Sequence, residues 1–399
     1  MSKNSDAPHV VIIGAGFAGL NAAQTLAMKK VRVTLVDRNN YHLFQPLLYQ
    51  VASTGLNPSE ISAIVRSNFR KLKNVRVLMA EMTGLNKDQK RIEFNRGEFA
   101  LDYDYLILGL GGKTSYIGND QWADMAPGLK SLDDAVTIRN RLLNSFEQAE
   151  READPTTFDA LTSVVVIGGG PTGVELAGAF AELRGQVITH DFRSFEPKDI
   201  KVTLLEGGPT LLNGYDPKSS QYTKERLEKL GVEVLLNERV TDVTPEGVRT
   251  QNRYLFSHNI LARIQGGESK PFRYFDKGRM ATIGRSAAVA ETTSLKMRGF
   301  LAWVAWLFVH LLYLVEFQDR LVVFMRWVWS YITWHWGVRL IFAAGKDRQI
   351  EESREATREP DPAENPLERS EPEATSSEAG RVENSQEPSG PEVTPPEAG

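Results

Sequence analysis

The sequence contains no cysteine among its 399 residues. This absence excludes disulfide bonds, thiolate catalysis, and zinc or iron–sulfur centres held by cysteine. Histidine is also scarce, and its six copies lack the spacing typical of metal ligands, so no metal site is predicted. The six copies are His9, His42, His190, His258, His310 and His335.

The chain also lacks a basic cluster with interleaved aromatic residues, and its net charge is −4. Nucleic-acid binding is therefore not expected. The first residues, MSKNSDAP, have no apolar core of the kind that a signal peptide requires, so the following segment is expected in the cytoplasm. With 41% hydrophobic and 25% charged residues, the composition is otherwise that of a globular protein of two or three domains.

The stretch from His9 to Asp37 is typical of strand, tight turn, helix and strand. Gly14 permits the turn, Gly16 lets the backbone approach a pyrophosphate, and Gly19 lets the helix pack against the strand. Asp37 ends the second strand, where a carboxylate can accept hydrogen bonds from ribose hydroxyls. A glycine-rich structural turn is the alternative, but an acid at this distance favours a dinucleotide site.

The same pattern recurs 154 residues later, from Gly14 to Gly168. The apolar stretch 163–167 leads into Gly168, Gly170 and Gly173, and a later apolar stretch ends in Glu206. Two units with the same order of strand, glycines, helix, strand and acid predict two Rossmann-like dinucleotide-binding domains. The expected fold class is therefore α/β.

Two such sites in one chain indicate that a hydride passes between two bound cofactors, a nicotinamide and a flavin. Glu206 favours NADH over NADPH, because a carboxylate binds the ribose 2′-hydroxyl and repels a 2′-phosphate. Without cysteine, the chain cannot pass electrons through a redox-active disulfide or oxidise sulfide through cysteines. Electrons are therefore expected to leave the flavin directly for an acceptor.

Between the two units, residues 104–109 form a further apolar stretch that predicts a buried strand. Gly111 follows it and offers another place where the backbone can approach a cofactor. Residues 131–153 have apolar positions at helical spacing and acidic residues in the first turn, which predicts a helix. These elements are expected to complete the first unit and open the second.

Two apolar stretches, 299–315 and 321–342, lie near the C-terminus. The first carries no acidic or basic residue except a histidine, and the second contains two arginines, one of them Arg326. Six of the seven tryptophans fall between Trp303 and Trp336, and tryptophan is enriched at membrane interfaces. Helices lying in the interface are favoured, while a spanning hairpin and a buried homodimer interface stay open. A membrane quinone is then the expected electron acceptor.

These features together resemble type II NADH dehydrogenases, the single-subunit NADH:quinone oxidoreductases that pump no protons. The matching stretches are IIGAGFAGL (12–20), NYHLFQPLLYQVA (40–52), GGGPTGVELAG (168–178), LLEGGP (204–209) and FDKGRMATIGR (275–285). The resemblance implies FAD at the first glycine turn and NADH at the second. It also implies that Glu175 lies beside the flavin and positions flavin and nicotinamide. The alternative is a carboxylate that only stabilises the start of its helix.

The chain departs from this family after Gly247. Family members carry several tens of residues between the equivalents of Gly247 and Tyr254, including a Gly-Asp motif at the flavin and most of a quinone-site helix. No Gly-Asp dipeptide occurs in this sequence, so an internal deletion is predicted near residues 248–253. Gln251 is then the expected remnant of the quinone helix, which the following residues continue. A parallel sheet that has lost strands in this way is expected to expose apolar edges.

The sequence thus predicts five segments, of which the last is too acidic and too poor in aromatic residues to fold. They are the first part of an FAD-binding domain (8–130), an NADH-binding domain (131–249), a remnant of the second part of the FAD domain (250–292), membrane-associating helices (293–345) and a disordered tail (346–399).

Three functions fit these segments. The first is an NADH:quinone reductase on the cytoplasmic face of the inner (plasma) membrane, either peripheral or monotopic, or anchored by a transmembrane hairpin. The second is a truncated remnant that binds nucleotide at the membrane without catalysis. The third is an NADH reductase of a soluble acceptor, in which the C-terminal helices only mediate dimerisation.

Overall fold

The computed structural model describes residues 7–185, 191–256, 259–262, 278–292, 295–314 and 317–333. Within them lie two units built on the same plan, each with a four-stranded parallel sheet and a three-stranded antiparallel sheet. The predicted tail, 346–399, lies outside the described residues.

The first parallel sheet is built around β1 (His9–Ile13), which lies between β2 (Arg32–Asp37) and β9 (Tyr105–Leu108). β5 (Val75–Met79) adds to the far side of β2, so the order is β5-β2-β1-β9. Helix α1 (Phe17–Leu26) connects β1 to β2. Alternate residues of β1 belong to separate apolar clusters on the two faces of the sheet, which explains why the strand is apolar throughout.

The second unit repeats this topology. Its elements are β10 (Ser163–Ile167), α6 (Pro171–Leu183), β11 (Lys201–Glu206), α7 (Pro217–Lys229), β12 (Val232–Leu236) and β16 (Asn259–Ala262). All four strands are parallel in the order β12-β11-β10-β16, the same order as in the first sheet. The two glycine turns therefore occupy equivalent places, at the carboxyl end of the strand that is central to each unit.

In each unit an antiparallel sheet is inserted before the fourth parallel strand. The strands are β6 (Met82–Asn86), β7 (Arg91–Phe94) and β8 (Phe99–Asp102) in the first unit, and β13 (Val240–Thr244), β14 (Gly247–Thr250) and β15 (Tyr254–Phe256) in the second. Neighbouring strands along the chain pair with each other in both sheets. The two units therefore share a parallel sheet and an inserted antiparallel sheet.

The second unit continues beyond the domain boundary predicted from the sequence. β15 pairs with β14 and β16 pairs with β10, so residues 254–256 and 259–262 form strands that pair within the second unit and not a helix. The hydroxyl of Thr250 accepts the backbone N–H groups of Asn252 and Arg253 and donates to Glu238 at 2.6 Å. Glu238 also pairs with Arg253 at 2.9 Å. These contacts let the chain cross the predicted deletion as a short hairpin.

The fourth strand of the first sheet, β9, has a single paired neighbour in the described part of the chain. Tyr105 and Leu108 on this strand, and Leu110 just after it, are 63%, 51% and 65% exposed. Among the described residues, β9 is thus paired on one side only and is not the buried strand predicted from the sequence. Its exposed apolar side chains form the edge expected for a parallel sheet that has lost a neighbouring strand.

Short elements of the first unit and two helices connect the sheets. They are β3 (Tyr41–Leu43), α2 (Leu48–Ala52), β4 (Ser62–Ile64), α3 (Val65–Phe69), α4 (Leu132–Ala149) and α5 (Pro155–Leu161). α4 begins at a capping box, in which Ser131 accepts the N–H of Asp134 at 3.1 Å and the Asp134 carboxylate accepts the N–H of Ser131 at 2.8 Å. α2 lies between α4 and α6 and so links the two units.

The C-terminal part comprises an antiparallel sheet and two helices. Its elements are β17 (Arg279–Thr282), β18 (Ala288–Glu291), β19 (Lys296–Gly299), α8 (Phe300–Tyr313) and α9 (Phe317–Thr333). All four residues of β18 are buried. Helix α8 packs beside this sheet, and its Trp306 is 1% exposed. Among the described helices, none combines the length and the apolarity needed to cross a membrane.

Candidate functional site

The first glycine turn is closed by backbone contacts. Gly14 has a φ of +98°, and a Cβ added there would lie 2.2 Å from the carbonyl oxygen of Gly109. A Cβ on Gly19 would lie 1.7 Å from the carbonyl oxygen of Gly14. At Gly16, by contrast, an added Cβ would meet no atom within 4 Å. The turn thus leaves open space at the N-terminus of α1, which fits the pyrophosphate of a dinucleotide.

Asp37 lies at the carboxyl end of β2, beside this turn. Its carboxylate oxygens accept the backbone N–H groups of Ala15 at 2.6 Å and Asn39 at 2.7 Å. The side chain is half-buried, and a carboxylate accepts more than two hydrogen bonds. Asp37 can therefore hold the turn and still bind ribose hydroxyls.

The second glycine turn has the same geometry. Gly168 has a φ of +105°, and a Cβ on Gly173 would lie 1.9 Å from the carbonyl oxygen of Gly168. Glu206 ends β11, and its carboxylate accepts the backbone N–H groups of Gly169 at 2.6 Å and Gly208 at 2.7 Å. Glu206 thus occupies in the second unit the place that the equivalent aspartate occupies in the first.

Two further glycines that are predicted to contact a cofactor lie beyond the carboxyl ends of parallel strands. Gly170 is the residue from which α6 begins, and its φ of −74° and ψ of 178° leave the N–H groups of the first helical turn unpaired by the helix itself. Gly111 follows β9 with a φ of +72°, and an added Cβ would meet no atom within 4 Å. The cofactor-binding role of Gly111 and Gly170 stays a prediction.

The first turns of α1 and α6 border one small cavity of about 200 Å³. Phe17, the first residue of α1, and Thr172, the second residue of α6, both line it together with Glu175. This volume is below the roughly 300–1,000 Å³ of a site for a whole drug-sized ligand. The cavity is therefore too small for a whole dinucleotide, and it lies beside the starts of both helices.

A hydrogen-bonded chain links Glu175 to the C-terminal helices. Glu175 Oε1 accepts the backbone N–H of Thr282 at 3.4 Å, and the Thr282 hydroxyl donates to the hydroxyl oxygen of Tyr49 at 3.2 Å. The amide of Gln50 donates to the same oxygen at 2.8 Å. The indole N–H of Trp327, on α9, donates to Gln50 Oε1 at 3.1 Å. A continuous series of hydrogen bonds therefore runs from α9 to the carboxylate in the small cavity.

Apart from Glu175, the residues of this hydrogen-bonded series were not predicted as site residues. Their only signal in the sequence is that Tyr49 and Gln50 lie in the stretch 40–52, and Thr282 in the stretch 275–285, which carry the family resemblance. Tyr49 is seven per cent exposed and Thr282 four per cent, as is usual for core residues. Only their contacts in the folded chain identify them as part of the site.

A larger cavity of about 660 Å³ lies on the other side of Tyr49 and Glu175, which line both cavities. Its wall is mainly aromatic and aliphatic, with a few polar groups. The tryptophans are Trp303, Trp306, Trp327 and Trp329, and the charged side chains besides Glu175 are Glu182, Arg285 and Arg326. An apolar chamber with a few polar groups suits a flat hydrophobic ring substrate.

Gln251 is brought to neither cavity. It lies in the turn between β14 and β15, where its side-chain amide donates to the carbonyl oxygen of Asn237 at 3.0 Å. Its backbone N–H donates to the carbonyl oxygen of Arg239 at 3.0 Å. The helix expected around Gln251 does not form, because the residues on both sides pair as strands of the second unit.

Comparison with known proteins gives the family. The family model of the pyridine nucleotide-disulphide oxidoreductases matches residues 8–262. Two type II NADH:quinone oxidoreductases of Mycobacterium tuberculosis, Ndh and NdhA, are each 33% identical to the chain over 408 aligned positions. The alignments cover 81% of this chain and 88% and 87% of these relatives. Because 81% of 399 residues is far fewer than 408, each alignment contains several tens of positions where this chain has no residue, as the predicted deletion requires.

Solved structures agree on the fold. The structure of NDH2 from Plasmodium falciparum in complex with NADH matches with a TM-score of 0.76 at 19% identity, over 84% of this chain and 99% of that chain. The sulfide:quinone oxidoreductase of Aquifex aeolicus matches less closely, with a TM-score of 0.53 over 65% of this chain. With this α/β fold, the match over 8–262 and the mycobacterial relatives, the chain belongs to the pyridine nucleotide-disulphide oxidoreductases and, within them, to the type II NADH:quinone oxidoreductase family.

Proposed function

We propose that this chain oxidises NADH and reduces a quinone, with FAD as the carrier between them and without pumping protons. The observation that carries the proposal is the pair of cavities. Two nucleotide-binding turns border the small one, and Tyr49 and Glu175 line both it and the large aromatic one. NADH is assigned to the second turn, beside Glu206, and FAD to the first turn, beside Asp37. Proteins of the same family, such as those of M. tuberculosis, carry this activity in their names.

Each group of residues has its own binding role, which follows from its position. The N–H groups at the starts of α1 and α6 hold the two pyrophosphates, and the acids that end β2 and β11 bind the riboses. Bound FAD supplies the chemistry of accepting a hydride and giving up electrons. Glu175 lies on the shared wall, where its carboxylate orients the two ring systems. The large cavity receives the quinone ring, and its tryptophans keep water away from the ring.

Purified protein is expected to be yellow, with about one flavin per chain, and to oxidise NADH when a soluble quinone is added. The measurement is the absorption spectrum in the flavin bands, followed by the loss of NADH absorbance with and without quinone. Protein that stays colourless after incubation with FAD and does not oxidise NADH would contradict the proposal. That result would favour the truncated, non-catalytic remnant instead.

The outer face of α8 and α9 supports attachment to a membrane surface. Leu301 and Phe308 on α8 and Phe324 on α9 are 72%, 62% and 46% exposed. Leu301 and Phe308 are seven residues apart, which places them on one face of α8. A contiguous apolar face on amphipathic helices suits the boundary between lipid head groups and acyl chains.

Replacing Leu301 and Phe308 together with glutamate is expected to reduce binding to lipid vesicles at least about tenfold, because burial of one such side chain is worth about 1.5–3 kcal/mol. The measurement is co-sedimentation with vesicles of phosphatidylglycerol and phosphatidylethanolamine. Met28→Glu is the matched control, since Met28 is 79% exposed in the turn after α1. Wild-type protein that stays in the supernatant as a dimer would assign this face to a second copy of the chain.

A further inference from the structure

Glu182 presents a second carboxyl group to the large cavity. Glu175, Ala179 and Glu182 follow one another on α6 at intervals of four and three residues, so they lie on one face of the helix. All three line the large cavity. Glu182 is only partly exposed, and it lies nearly two helical turns further from the small cavity than Glu175. It therefore faces the proposed quinone chamber and not the nucleotide rings.

The loop after β17 is shaped around this carboxyl. Glu182 Oε1 accepts the backbone N–H of Arg285. A Cβ added to the preceding Gly284 would lie 2.6 Å from the same oxygen. Gly284 also has a φ of +69°, which disfavours other residues. Glycine at this position therefore leaves the space that the Glu182 carboxyl occupies.

Burial and the nearby charges act on the pKa of Glu182 in opposite directions. Arg285 from the loop after β17 and Arg226 from α7 lie near it and favour the carboxylate, while Arg326 on α9 is paired with Glu60 at 2.7 Å. Burial is the larger effect, and it raises the pKa of Glu182 from 4.5 to about 7. Both protonation states of this carboxyl are therefore populated near neutral pH.

We propose that Glu182 donates the second proton of quinone reduction, an inference that rests on the proposed function. Conversion of quinone to quinol takes up two electrons and two protons, whereas the hydride of NADH brings two electrons and one proton. The carboxylic acid of Glu182 releases its proton to a quinone oxygen, so that an O–H bond forms there as the acid O–H bond breaks. The carboxylate left behind takes up a proton from water. The overall reaction is NADH + H⁺ + quinone → NAD⁺ + quinol.

The test is Glu182→Gln, which keeps an oxygen acceptor for the Arg285 N–H but cannot release a proton. Quinone turnover is expected to fall at least about 100-fold, the size typical of a lost general acid. Ferricyanide takes up electrons without protons, so its NADH-dependent reduction is expected to stay at the wild-type rate. The wild-type quinone rate should fall as the pH rises through about 7, because the acid form is lost, and this fall should be absent from the variant.

Two controls and a readout independent of activity complete the test. Glu225→Gln, on the exposed side of α7, is expected to change neither rate. Glu182→Asp keeps a titratable group and is expected to retain the fall in quinone rate with pH, at a shifted midpoint. In infrared difference spectra, the band of a protonated carboxyl that titrates near pH 7 should be present in the wild type and missing in Glu182→Gln.

The possible outcomes separate the two proposals. A Glu182→Gln variant with wild-type quinone turnover and an unchanged pH profile would overturn the role of Glu182 and leave the proposed function standing. Wild-type protein that reduces neither quinone nor ferricyanide with NADH would overturn both. Loss of both activities in Glu182→Gln, with retention of both and of the pH profile in Glu182→Asp, would support the role of the titratable group.

Discussion

Replacing Gly16 with valine is expected to abolish the retention of FAD and to leave the fold intact. The backbone of Gly16, with φ −70° and ψ −169°, is open to any residue, and a Cβ there meets no protein atom within 4 Å. The valine side chain projects instead into the space proposed for the pyrophosphate. A loss of affinity of at least about 100-fold, or about 2.8 kcal/mol, is expected from this overlap. The measurement is the ratio of flavin to protein after gel filtration, together with the unfolding temperature.

Gly19→Ala is the informative contrast, because there the added Cβ would lie 1.7 Å from the carbonyl oxygen of Gly14. No neighbouring side chain can move to relieve a contact with backbone, so this variant is expected to fold poorly. Gly16→Val should by comparison unfold within a few degrees of the wild type. A full complement of flavin in folded Gly16→Val would refute the assignment of FAD to the first turn.

Replacing Glu206 with arginine is expected to turn the preference from NADH towards NADPH. The Glu206 carboxylate lies at the end of β11, where it is proposed to bind a ribose 2′-hydroxyl and to repel a 2′-phosphate, whereas a guanidinium attracts the phosphate. The ratio of kcat/KM for NADPH to that for NADH should rise on the order of 100-fold, because each charged hydrogen bond contributes about 1.5–3 kcal/mol. Steady-state kinetics with a soluble quinone and both nucleotides measure this ratio.

Glu206→Gln separates the effect of the carboxylate charge from the effect of the hydrogen bonds with which this side chain supports the glycine turn. Glu206 also accepts the N–H groups of Gly169 and Gly208, and the glutamine oxygen can replace one of these two acceptors. This variant should lose discrimination against NADPH without gaining a preference for it. An unchanged NADPH-to-NADH ratio in both variants would show that Glu206 does not contact the ribose.

Where local pattern decides structure, the sequence was sufficient. The apolar run at 163–167 is the strand β10 (Ser163–Ile167), and the run that ends in Glu206 is the strand β11 (Lys201–Glu206), as predicted. Both are followed by glycines and are buried on both faces, so few alternatives compete. The α/β class and the family followed from these repeated units and are confirmed.

Where contacts between distant parts of the chain decide the structure, the sequence was insufficient. Residues 254–256 and 259–262 have no clear period, and they become strands only because β14 and β10 offer them open edges. The contact between Tyr49 and Thr282 joins residues 233 positions apart, and that between Glu175 and Thr282 joins residues 107 apart. No spacing rule reaches so far, so the wall between the cavities is visible only in the fold. The cofactor roles of the individual glycines and acids stay predictions.

The clamp that each acid places on its own glycine turn has a consequence for substitutions at that acid. Asp37 accepts the backbone N–H of Ala15, and Glu206 accepts that of Gly169. Both turns are therefore preorganised, and their conformational entropy is lost during folding rather than on binding. The carboxylate proposed to bind each ribose is thus also the one that shapes its turn. A substitution at either acid therefore acts on cofactor preference and on the geometry of the turn together, so Glu206→Arg is expected to shift the preference while weakening the binding of both nucleotides.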